Sequence, residues 1–166
     1  RLIPLEDMVD KIKVAVAARE SEDFLVIART DARQSEGMDG VLRRLEAYDK
    51  AGAHVLFPEA LTSEEEMTRA CAAFDKPLMA NMSNGGSSPV PVASVLAEIG
   101  YAYAIYPSLT SLVACSAMEK ALVDLKEKGI GQPYGLFDFN EFCSLIGFED
   151  VWEFEQKWSK RPAEDA

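Results

Sequence analysis

The sequence has little of what would send a protein to a membrane, to the cell exterior or to nucleic acid. No apolar run approaches membrane-spanning length. The first residues do not make a secretory leader, because Pro4, Glu6 and Asp7 interrupt them. Basic charge is scarce: 17 Lys and Arg face 28 Asp and Glu, for a net charge of −11. That balance argues against nucleic acid or an anionic membrane as partner. It leaves room for a small anionic substrate, since one Arg in a closed cleft outweighs distant, screened carboxylates. Cys71, Cys115 and Cys143 are an odd number without metal-type spacing, which points to a reducing, cytoplasmic setting rather than a disulfide framework. An initiating Met is also missing. The chain starts on Arg1 and falls into a helical pattern within a few residues, as if begun partway through a longer protein.

What is present is enough for one sizeable core, with 166 residues at 48% hydrophobic composition. Leu5, Met8, Val9, Ile12 and Val16 recur at helical spacing behind Pro4, predicting an amphipathic helix to about Glu20. Phe24-Leu-Val-Ile-Ala28 then reads as a strand buried on both faces, closing abruptly on Arg29, Thr30 and Asp31. Gly37 and Gly40 bracket a predicted loop, and Val41, Leu42, Leu45 and Tyr48 a second helix stopped by Gly52. His54 to Ala60 is a short strand closing on Glu59, and Ser63 with Glu66 is a capping-box pattern. The following helix carries Met67, Ala70, Cys71 and Phe74 on one face. Pro77 to Asn81 is the third strand, running into the Gly- and Ser-rich stretch 84–89; a helix ended by Gly100 follows. Tyr101 to Tyr106 is the fourth strand, closing on Pro107 and Ser108, before a long helix from about Leu109 to Lys128.

Four strand–helix alternations predict α/β structure with a parallel sheet. Right-handed crossovers put every strand's carboxyl end on one side. Arg29, Asp31, Glu59, Asn81 and Ser108 are therefore expected on a single face, where sites of parallel α/β folds sit. The plainer reading of Arg29 and Asp31 alone is an ion pair that ends a strand. Beyond Gly129 the pattern changes to short aromatic-rich helices around Phe137–Phe142 and Val151–Trp158. They pack either on the chain's own helices or on a neighbouring subunit. The expected division is 1–129 and 130–166.

Ala28-Arg-Thr-Asp-Ala32, Phe57-Pro-Glu-Ala60, Ala80-Asn-Met82 with Gly86 and Ser88-Pro89, Tyr106-Pro107 and Phe139-Asn-Glu-Phe142 resemble, in order and spacing, the isocitrate lyase/phosphoenolpyruvate mutase superfamily. The likeness is nearest its short methylisocitrate lyase, dimethylmalate lyase and carboxyphosphonoenolpyruvate mutase types. It implies a (β/α)8 TIM barrel, of which this chain is the second half, strands five to eight plus the C-terminal helices. It further implies homotetramers that exchange those helices. The family's metal-binding aspartates and its Lys-Lys-Cys-Gly-His-type loop have no counterpart here. Magnesium (Mn2+ as alternative) is then expected with ligands in a first half, and none in this chain.

The implied activity is magnesium-dependent cleavage of a C–C bond in a 2-hydroxy or 2-oxo dicarboxylate, releasing a keto acid. The alternatives are a P–C bond enzyme acting on a phosphonate, and a non-catalytic half-barrel that functions in assembly. Arg29 and Glu59 carry the implied catalytic roles, the first on a substrate carboxylate or C2 oxygen and the second on the hydroxyl. Asn81, Met82, Ser83, Gly86, Ser88 and Pro107 line the implied substrate site, and Asp31 supports Arg29. Cys71, Cys115 and Cys143 fall in helical patterns and read as core. His54 lies at the amino end of its strand and is not expected in catalysis. Asn84 stands where relatives usually have Glu. Leu112 replaces the Arg of tricarboxylate-splitting enzymes, which favours a smaller dicarboxylate. Pro107 replaces a Ser common in oxaloacetate-hydrolysing relatives, which leans away from that activity.

Overall fold

The computed structural model describes residues 2–132 and 135–159. In chain order the elements are α1 (Leu5–Ala18), β1 (Ile27–Thr30), α2 (Arg33–Lys50), β2 (Val55–Pro58), α3 (Glu64–Ala72), β3 (Met79–Asn81), α4 (Ala93–Ile99), β4 (Tyr103–Ile105), α5 (Leu109–Lys128), α6 (Phe139–Leu145) and α7 (Phe148–Trp158). This is the expected mixed α/β alternation, built on short strands. All pairing is parallel: β1 lies beside β2 with Arg29 opposite Phe57, and β3 beside β4 with Asn81 opposite Ile105. The two pairs meet at a single bridge, Leu56 to Leu78. The described residues divide into two compact units, one up to Val113 and one from Ala114 on, so the division falls inside α5.

In the first unit α1 packs on α2, α2 on β1 and β2, and α3 on α4. One face of the strands meets these helices, where Ala28, Leu56, Leu78 and Ala80 join Val41, Leu45, Met67 and Leu96 in the main core. Each fully buried Leu there contributes about 2 kcal/mol by burial. On the opposite face Val55, Phe57 and Met79 form a smaller cluster of their own.

The first strand departs from expectation. It begins at Ile27 rather than Phe24, and Phe24 and Leu25 are exposed. Its burial alternates, with Ala28 and Thr30 buried and Ile27 and Arg29 open, because helices cover one face only. Burial on both faces holds for β2, which has a strand on either side, whereas β4 is exposed throughout. The expected 37–40 loop is also different. Helix α2 starts at Arg33 and breaks only at Gly37 (φ 68°), and Gly40 is helical. A Cβ on Gly40 would stand 2.2 Å from the Cβ of Glu36. Without it, Glu36 folds under the helix and takes two hydrogen bonds from Arg44, at 2.6 and 3.0 Å, and one from Arg43 at 2.8 Å. Arg44 is 6% exposed and also donates to the carbonyl of Ile3.

His54 Nδ1 accepts the Val26 amide at 3.0 Å at the start of β2. Of the cysteines, Cys143 is buried and Cys71 half-buried. Cys115 is exposed, on a helix (α5) that buries no residue among those described, so it is not a core residue there. In the second unit α6 and α7 pack on one another and leave Phe139, Leu145, Phe154 and Trp158 exposed. Among the described residues no helix is long and apolar enough to cross a membrane.

Candidate active site

Strand alternation decides which side chains meet. Ile27, Arg29 and Asp31 point away from the helices, and so do Val55, Phe57 and Glu59, and Met79 and Asn81. The parallel register then sets Asp31, Glu59 and Asn81 side by side at the carboxyl ends of β1, β2 and β3. The Glu59 amide donates to the Thr30 carbonyl at 3.0 Å, which carries the β1–β2 pairing one residue beyond the strands.

Arg29 is fixed from three sides. Its Nε and Nη2 donate to the two Asp31 oxygens at 2.9 and 2.7 Å, a bidentate fork. Its guanidinium lies 5.2 Å over the Phe57 ring. Its Nη1 is 3.4 Å from Glu59 Oε2, an ion-pair contact. The hydrogen bonds to Asp31, helped by the charges of Glu59 and Asp31, outweigh partial burial and hold the guanidinium above its ordinary pKa. Glu59 in turn accepts from Asn81 Nδ2 at 3.2 and 3.4 Å. The outcome is one row, Asp31–Arg29–Glu59–Asn81, across three strands. It ends on a buried oxygen, Asn81 Oδ1, that has no hydrogen-bond partner.

Asn81 and Glu59 share a small crevice with Ser88, Met82, Ala60 and Tyr101. Met82 turns into the helix-side core, and its amide donates to the Ile105 carbonyl at 2.8 Å. Ser83 accepts the Gly86 amide at 3.2 Å through its carbonyl, which shapes the exposed turn that carries Gly86. Pro107 is exposed after β4, and the Ser108 hydroxyl is buried without a partner. No hydrogen bond or ion pair among the described residues joins either of them to the row. The loop from Ala60 to Ser63 is tied down separately. Ser63 Oγ caps α3 by accepting the Glu66 amide, and the Glu66 carboxylate reaches back to the Thr62 amide at 2.9 Å, one residue beyond the usual box. Arg33 donates to the same carboxylate at 2.6 and 2.9 Å, and these bonds hold Glu66 down to about 2.

Phe57 and Ala60 belong to this site without having been expected in it. Phe57 was legible from register alone, since it stands opposite Arg29. Ala60, at φ 60°, was not: nothing in its side chain asks for that backbone.

Among the described residues no three His, Cys, Asp or Glu converge in a way that could hold a metal ion. Both Asp31 oxygens are committed to Arg29, and Glu59 faces Arg29 and Asn81. These residues do not by themselves fit a resident magnesium.

Residues 1–126 match the family model described as phosphoenolpyruvate phosphomutase. The chain is 39% identical over 165 residues to 2-methylisocitrate lyase of Aeropyrum pernix, covering 98% of this chain and 53% of that protein. It superposes on the crystal structure of 2,3-dimethylmalate lyase, described as a PEP mutase/isocitrate lyase superfamily member, with a TM-score of 0.82 at 30% identity, covering 94% of this chain and 56% of that one. On oxaloacetate acetylhydrolase in complex with 3,3-difluorooxalacetate the TM-score is 0.85 at 30% identity, covering 97% and 55%. The chain thus spans about half the length of the relatives it matches. Since the family's match takes in all four strands and the whole Arg29–Glu59–Asn81 row, this chain belongs to the phosphoenolpyruvate phosphomutase family, within the superfamily it shares with the isocitrate lyases.

Proposed function

We propose that this chain forms strands five to eight and the terminal helices of a (β/α)8 barrel. The complete protein is a magnesium-dependent lyase that cleaves a C–C bond in a 2-hydroxy or 2-oxo dicarboxylate and releases a keto acid. The observation that carries the reading is the row Arg29–Glu59–Asn81 at the carboxyl ends of three successive parallel strands. It is supported by the likeness to lyases acting on methylisocitrate and dimethylmalate.

In this reading Arg29 presents Nη1 to a substrate carboxylate or C2 oxygen while Asp31 and Phe57 keep the guanidinium from turning. Positive charge belongs there because negative charge gathers on substrate oxygens as the bond breaks. Glu59 orients the C2 hydroxyl and takes part in moving its proton. Asn81, through the Nδ2 hydrogen that Glu59 leaves, holds the second carboxylate together with Ser88, which shares its crevice, and with Ser83, Gly86 and Pro107 from the following loops, while Met82 backs the site from the helix-side core. Magnesium, when bound through ligands outside these residues, supplies Lewis-acid stabilisation of the same oxygens. Residues 1–129 form the barrel part, and the division 130–166, of which 133–134 and 160–166 lie outside the described residues, supplies through α6 and α7 an appendage that seats on a neighbouring subunit in a homo-oligomer.

The test is keto-acid release by the full-length natural polypeptide with magnesium, offered 2,3-dimethylmalate, 2-methylisocitrate and oxaloacetate, with phosphonopyruvate alongside. Release from a dicarboxylate, abolished by chelation, is expected. No release from any of them overturns the lyase reading, and turnover of phosphonopyruvate alone selects the P–C alternative.

A further inference from the structure

Ala60 is the one residue other than glycine with positive φ among those described, and it directly follows Glu59. A side chain is strained there and glycine would not be. Such a conformation persists only where its surroundings over-determine it. They do so on both sides of Ala60. Before it, the Glu59 amide is bound to the Thr30 carbonyl at 3.0 Å. After it, Leu61 is buried, and the Thr62 amide is held by Glu66, itself gripped by Arg33. The Ala60 residue also lines the crevice shared by Glu59, Asn81 and Ser88.

We propose that Ala60 is a positioning residue: its left-handed backbone, clamped between the Thr30 carbonyl and the Arg33–Glu66–Thr62 cluster, aims the Glu59 carboxylate between Arg29 and Asn81. The inference rests on reading Glu59 as part of the active site. A methyl group, rather than glycine, narrows the backbone choices at the step where Glu59 leaves its strand. Strain is retained in exchange for direction.

The test is Ala60→Gly in the full-length natural polypeptide, which removes the strain and the restriction together. The melting midpoint is expected within about 3 °C of wild type, because relief of strain offsets the greater freedom of the unfolded chain. Turnover is expected to fall about tenfold to a hundredfold with KM within about twofold, as for a misaimed catalytic group. Crystal structures of both forms are expected to keep Glu59 against Asn81 in wild type and to show it displaced or in several positions in the variant. A variant that keeps both wild-type turnover and an undisturbed Glu59 overturns the proposal. So does a larger fall in melting midpoint, which would make the methyl a packing group. If wild type itself releases no keto acid, the lyase reading fails, and the melting and crystallographic comparisons still decide the role of Ala60.

Discussion

Replacing Gly40 by Ala sets two rules of helix stability against each other. Helix propensity alone favours the substitution by about 1 kcal/mol. The structure predicts the opposite sign. The new Cβ would fall 2.2 Å from the Cβ of Glu36, an atom fixed by backbone rather than by a flexible side chain. Forcing that contact apart costs about 1–3 kcal/mol, as overpacking does. Moving Glu36 also takes its carboxylate from the buried Arg44, which loses charged hydrogen bonds of 2.6 and 3.0 Å. Losing them leaves the Arg44 guanidinium short of its charged acceptor, which adds to the cost. Overpacking alone offsets the propensity gain and the weakened pairing of Arg44 adds to it, so the net expectation is a loss of about 1–3 kcal/mol. Equilibrium urea denaturation of the natural polypeptide measures it, with Glu36→Ala as the partner of a double-mutant cycle. Gly40→Ala should cost less in the Glu36→Ala background, where Arg44 has already lost its carboxylate. A Gly40→Ala protein as stable as wild type, or more so, would refute the geometry of this turn.

Three further outcomes are expected. Arg29→Lys, which keeps the charge but loses the fork to Asp31, should lower turnover roughly a hundredfold with little change in melting temperature; steady-state kinetics beside a thermal melt checks it. Glu66 is held near 2, below its unfolded value, so its pairing stabilises the fold above the unfolded carboxyl range and is lost as pH falls through about 2. The stability gap between wild type and Glu66→Gln should therefore be full at pH 7 and close steadily below pH 4 or so in pH-dependent denaturation. Burial pushes the Cys71 thiol up to about 11, so thiol labelling at pH 8 followed by peptide mass analysis should find Cys71 unmodified until the protein is unfolded.

The strand ends were legible in the sequence because apolar runs that stop on Arg29, Glu59 and Asn81 report both an element and its edge. Their convergence needed only the handedness of parallel crossovers. The extent of β1 was not legible. Phe24 and Leu25 are as apolar as any strand, but hydrophobicity does not say which face a covering layer reaches, and here the helices cover one. Gly40 looked like a loop residue because glycine usually marks one, whereas its role is to give room to a carboxylate four residues earlier. Cys115 shows the same limit: its helical spacing suggested a core, but spacing gives a face and not its neighbour. Ala60 was out of reach altogether, since alanine predicts helix and says nothing of a left-handed turn.

Between β2 and β3 the backbone makes one bridge, Leu56 to Leu78, while the side chains of Glu59 and Asn81 join hands at the carboxyl end of the same boundary. The seam of the sheet is thus sewn in part by the residues that would receive a ligand. Any molecule that competes for the Asn81 amide or the Glu59 carboxylate takes over a stitch as it binds. Affinity at such a site would then be linked to the cohesion of the sheet, because the same Glu59–Asn81 contact would serve both.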